Sequence, residues 1–166
     1  YYDATVQQVN FSDPKTVGII NGWASDNTNG LIKKVIEKTK PEDLMYLLNA
    51  IYFKGIWTNE FSPNNTSSKP FYPEDGNQVN VDMMHQTEEF NYTEDETLQM
   101  VRLPYGNQAF SMMVLLPKDE INLAEAVSAL RADGYWSALQ STLHPAKVDL
   151  SLPKFKTEYS KILNEV

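Results

Sequence analysis

Residues 47–57 read LLNAIYFKGIW, an almost unbroken apolar run that carries one uncharged amide, Asn49. A run this apolar demands cover on both sides, and a covered amide needs partners for its N–H donors and its carbonyl oxygen. The segment therefore predicts a specified hydrogen-bond network around Asn49, which nonspecific collapse would not require. Its local signals leave two conformations open. Pro41, Glu42 and Asp43 resemble the first turn of a helix, and Leu44, Leu47, Leu48 and Ile51 keep helical spacing. Against this, Ile51, Tyr52 and Phe53 favour extended chain and Gly55 stops the segment. Apolarity on both faces suits the middle of a covered sheet, so the balance favours a strand.

Elsewhere the punctuation is clearer. Residues 4–11 alternate around Val6, Val9 and Phe11 and read as a strand. Ser12-Asp13-Pro14 supplies a cap and then proline at the first helical position, which predicts a helix over 14–27 with Gly30 as terminator and Ile19, Ile20 and Trp23 on its apolar side. The turn signal Glu74-Asp75-Gly76-Asn77 between Phe71 and Val79 predicts a hairpin. Strands follow at about 79–84, 88–93, 98–104 and 110–116, with Tyr105-Gly106-Asn107 turning between the last two. Residues 123–130 keep helical spacing, Asp133-Gly134 breaks it, and a second short helix holds Trp136 and Leu139. Residues 148–152 alternate as a half-buried strand, and a final helix is expected near 159–165. The pattern is α+β, with mixed and antiparallel sheets and helices packed outside.

Function classes narrow by elimination. The formal net charge of −8, from 22 acidic against 14 basic residues, argues against a nucleic-acid footprint or an anionic-membrane surface. Lys33, Lys34, Lys38 and Lys40 form the one notable basic cluster and read as a solvated helix end or loop. With no cysteine there is no disulfide and no thiolate zinc site, and no apolar segment reaches the length of a membrane span. Sequons stand at Asn10, Asn64, Asn65 and Asn91, as Asn-rich loops produce by accident. His85 follows Met83-Met84 and reads as a buried or edge histidine, and His144 precedes Pro145 in an expected loop. Neither has the setting of a catalytic base. Glu94-Asp95-Glu96 reads as a solvated loop, and the methionines at 83, 84, 112 and 113 as core filling. No catalytic residue, metal site or cofactor is indicated.

Six segments in order carry a family resemblance. LLNAIYFKGIW resembles the serpin signature at the third strand of the main sheet. Upstream, INGWASDNTNGLIKKVI (20–36) is similar to the family's helix F and the turn after it; downstream come FSPNNTSSKPF (61–71), VDMMHQ (81–86), LPYGNQAFSMMVLLPK (103–118) and LPKFK (152–156). The chain is identified as a member of the serpins. A complete serpin is roughly twice as long as these 166 residues, so they read as the central portion of one domain, without the N-terminal helices, the reactive loop or the C-terminal strands.

The resemblance implies an inhibitor, not an enzyme. The family offers a protease a reactive loop, and after acylation the cleaved loop inserts into the main sheet as a further strand. On that basis Asn49 and Phe53 belong to the region where the sheet parts, and Trp57 and Lys154 to the end where the loop enters. Helix F, with Trp23, must yield transiently, and residues 31–40 become a partly helical connector back to the sheet. The implied partner is a serine or cysteine protease, and a complementary chain or strand-exchanged oligomer would cover the missing strands. The reactive bond is expected outside these residues. A non-inhibitory serpin acting as a binding or chaperone-like protein is the alternative, and an extracellular or periplasmic location follows by analogy alone.

Overall fold

A computed structural model describes residues 5–73 and 76–157. The chain divides into two compact units, Tyr1–Lys54 and Gly55–Val166. The turn residues Glu74 and Asp75 and the helix expected near 159–165 lie outside the described residues.

The first unit is built on helix α1, Lys15–Asn27. Asp13 starts it: the side-chain oxygen accepts the N–H of Lys15 and the carbonyl accepts that of Thr16, both at 2.9 Å, while Pro14 supplies a pre-set helical φ of −55°. The helix ends where Asn29 and Gly30 both take positive φ, 51° and 78°, and the Gly30 N–H turns back to the Ser25 carbonyl at 2.8 Å. The side it buries is Thr16, Ile20 and Ala24, spaced by four. Of the apolar residues named from sequence, Ile20 is buried, Trp23 half-buried, and Ile19 exposed.

Two expected strands do not form among the described residues. Residues 5–10 and 44–56 carry no strand assignment, and Leu44, Leu47 and Ile51 are 95%, 90% and 84% exposed. A strand is defined by its neighbour, and among the described residues no ladder forms beside either segment. Asn49 is exposed, so the buried network predicted around it does not form among the described residues. Residues 31–40 are irregular, where a partly helical connector was expected.

Among its described residues the second unit forms a five-stranded sheet with two α-helices. Its strands are β1 Thr66–Phe71, β2 Val79–Glu94, β3 Leu98–Tyr105, β4 Phe110–Pro117 and β5 His144–Pro153. Its helices are α2 Leu123–Leu130 and α3 Tyr135–Ser141. The two strands expected at 79–84 and 88–93 are one 16-residue strand, β2, and all pairings are antiparallel. β2 is the organising element. One of its edges takes β5 from Met83↔Pro153 to Tyr92↔His144, while the other takes β1 at Val79 to Met84 and then β3 at Asn91 to Glu94. His144, expected in a loop, opens β5 instead because the ladder with β2 runs that far.

β3 is buried on both faces, which suits its near-continuous apolar sequence. Leu98 and Met100 pack with Leu139 of α3, flanked by Leu130, Tyr135 and Leu143. Val101 and Leu103 pack on the opposite face with Phe90, Leu150 and Leu152. α2 opens with a reciprocal capping box: the Asn122 side chain accepts the Glu125 N–H, and Glu125 accepts that of Asn122. β1 ends the strand path among the described residues and carries Pro70, a residue that edge strands tolerate.

Candidate functional site

Residues 56–58 fill a gap in this sheet. β3 pairs with β2 only as far as Arg102↔Asn91, then parts from it while remaining paired with β4 through Tyr105↔Phe110. The edge of β3 that faced β2 is taken over by the segment around Trp57. Trp57 forms an antiparallel bridge with Tyr105, the Thr58 N–H donates to the Pro104 carbonyl at 2.9 Å, and the Gly106 N–H donates to the Ile56 carbonyl at 2.8 Å. The Thr58 hydroxyl adds a bond to the Gly106 carbonyl at 3.0 Å. The indole and phenol rings stack with centroids 4.3 Å apart and planes 15° from parallel. Burial raises the Tyr105 hydroxyl above its ordinary pKa, keeping the ring neutral in this contact.

Beneath the stack lies a small recess lined by Trp57, Asn59, Phe61, Gln86, Phe90 and Leu103. Gln86 is buried and donates to the Asn59 carbonyl at 3.4 Å, tying β2 to the segment that follows Trp57. Lys154 joins β2 from its other edge, where its N–H donates to the Asp82 carbonyl at 2.8 Å and extends the β5 ladder past Pro153. From Asp82 to Gln86 is four residues, about 13 Å along a strand. Of the two residues assigned to the loop's point of arrival, Trp57 is thus bridged to β3 and Lys154 to β2, with the Lys154 side chain exposed. Asn49 and Phe53, assigned to the sheet-opening region, sit in the exposed run of the first unit.

The sequence reading missed Tyr105 and Gln86 as partners of this site. LPYG was legible as a turn motif, but nothing local says which ring its tyrosine meets. Each histidine lies beside a polar partner. His85 Nε2 lies 2.5 Å from Asp149 Oδ1 across β2 and β5, and His144 Nδ1 is 3.1 Å from the Thr142 carbonyl. Among the described residues no group of three or more His, Cys, Asp or Glu side chains could hold a metal ion. No helix among them is long and apolar enough to cross a membrane.

The family model described as serpin (serine protease inhibitor) matches residues 1–166. The chain belongs to the serpin family. It is 34% identical to human Serpin B11 over 100% of its own length and 44% of the relative's, and 33% identical to antichymotrypsin-2 of Bombyx mori over 99% and 45%. Its fold superposes on the native-state crystal structure of the thermophilic serpin tengpin with a TM-score of 0.78 and 33% identity, over 89% of this chain and 38% of that one. The chain thus spans less than half the length of the curated relatives it matches. This serpin segment lies in a family of inhibitors, not of enzymes. Its described residues form an α+β portion of the serpin fold, an antiparallel β-sheet with helices.

Proposed function

We propose that this chain is the strand-accepting part of a serpin-type protease inhibitor, which traps its target when a cleaved reactive loop adds to the main sheet. One observation carries the reading. Residues 44–56 have the composition of a strand apolar on both faces, yet Leu44, Leu47 and Ile51 are exposed, and the run ends at a Trp57 pinned on β3. A segment of that composition, held at one end, gains apolar burial and a backbone ladder when strands lie beside it.

On this reading Asn49 and Phe53 lie where the sheet parts, and Trp57 and Lys154 mark where the loop arrives. The driving force is the ladder and burial gained by the inserted strand; the covalent acyl bond to the protease is what the movement preserves by distorting the enzyme. The partner is a serine or cysteine protease. Incubating the intact protein with a panel of both types, then separating on denaturing gels, should reveal an SDS-resistant complex of summed mass. Cleavage of the inhibitor with no complex, and no rise in its thermal stability after cleavage, would instead mark a non-inhibitory binding serpin.

A further inference from the structure

Asn21 on α1 bonds to backbone 14 and 15 residues away with every function of its amide. Its Oδ1 accepts the N–H of Val35 at 2.8 Å and of Ile36 at 3.1 Å, and its Nδ2 donates to the Ile36 carbonyl at 3.0 Å. Two hydroxyls act alongside it. The buried Thr28 hydroxyl donates to the Ala24 carbonyl at 2.7 Å and accepts the Ile32 N–H at 2.9 Å, and the Thr39 hydroxyl donates to the Phe11 carbonyl at 2.8 Å. Residues 31–40 form neither helix nor strand, so they have no ladder of their own, and most of them are exposed. Their backbone must find partners elsewhere, and a half-buried side-chain amide is the chief one.

We infer that Asn21 is a positioning residue that clasps the 31–40 connector to α1, so that helix and connector move as one body. The inference rests on the reading that the run after Pro41 accepts a strand. The connector leads directly into that run, past the contact in which Tyr46 packs on Phe11 with centroids 5.5 Å apart. If the connector travels with α1, the start of the run is released and recaptured in a single step. A connector cut loose from the helix frays independently and redocks slowly, which delays strand addition and gives the protease time to hydrolyse the acyl bond.

The test uses the intact protein and two substitutions. Asn21→Leu removes all three bonds; Asn21→Asp keeps the oxygen that accepts from Val35 and Ile36 but sets a second oxygen against the Ile36 carbonyl where Nδ2 donated. Amide exchange at Val35 and Ile36 should speed up about tenfold or more in Asn21→Leu. Asn21→Asp should recover part of that protection, while Ile32, bonded to Thr28, stays protected in both. The number of inhibitor molecules consumed per protease trapped should rise in Asn21→Leu and fall back in Asn21→Asp. Unchanged exchange at Val35 and Ile36 with Ile32 still protected would overturn the clasp. Faster exchange with no change in consumption, in a wild type that traps protease, would overturn the positioning role. A wild type that traps no protease defeats the inhibitor reading alone, and the exchange experiment still decides the clasp.

Discussion

Trp57 and Tyr105 show how one pair of side chains can close a sheet where its backbone parts. Trp57 also packs against a cluster that includes Phe90, Leu103 and Leu152, so truncating it removes both a ring contact and cover for the core. A double-mutant cycle of Trp57→Ala and Tyr105→Ala should give a coupling of about 0.5–1.5 kcal/mol, measured by urea unfolding. Additive single effects would mean the rings merely neighbour one another. Asn49 sets the opposite case. It is exposed in this chain, so Asn49→Ala should leave the stability of these residues within about 0.5 kcal/mol. Where partner strands bury the same amide in the intact protein, we expect a cost of about 1–3 kcal/mol, because its partners would be orphaned. Comparing the two backgrounds by chemical denaturation isolates what the sheet contributes.

At the scale of elements, the β2–β3 turn is tied to α3 through a single carboxylate. Asp95 Oδ1 accepts the N–H groups of Thr97 and Leu98 at 2.7 and 3.0 Å, and Oδ2 accepts the Tyr135 hydroxyl at 2.6 Å. Burial works against the charge, but these three donors outweigh it and hold the carboxyl below its ordinary pKa. A carboxyl depressed in the folded state contributes stability that is complete above its unfolded pKa and is lost as pH falls through the folded value. Acidification below about pH 4 should therefore loosen α3 from the turn, and Trp136 fluorescence should report it. Asp95→Ala should abolish that acid transition and cost about 1 kcal/mol at neutral pH. In the core, Leu103→Ala should cost about 2–5 kcal/mol, since its side chain is buried between β2, β3 and β5.

For the whole molecule, the exposed 44–56 run is expected to set behaviour in solution. A stretch with Leu44, Leu47 and Ile51 open to water is a template for pairing with another chain. These residues alone should self-associate as concentration rises, read by light scattering after size-exclusion chromatography. Leu47→Lys with Ile51→Lys should return them to monomers without disturbing the β-sheet between Thr66 and Pro153. A monodisperse wild type at high concentration would show that the run is not a pairing surface.

Much of this was legible in advance because the governing interactions are local. Asp13-Pro14 opens a helix, Gly30 closes one, Asn122 with Glu125 makes a capping box, and alternation from Val148 to Leu152 marks a half-buried strand; each depends on neighbours within a few residues. Six motifs in order likewise identify the family without any coordinates. What the sequence could not settle were contacts whose partners lie far along the chain. The fusion of two expected strands into β2, the meeting of Trp57 with Tyr105 and the clasp of Asn21 on Val35 and Ile36 are tertiary choices. The fate of LLNAIYFKGIW belongs with them. Its residues specify an apolar extended run with one amide, but a strand is a relation between neighbours, and only the sheet built around it decides whether Asn49 is buried or bathed in water.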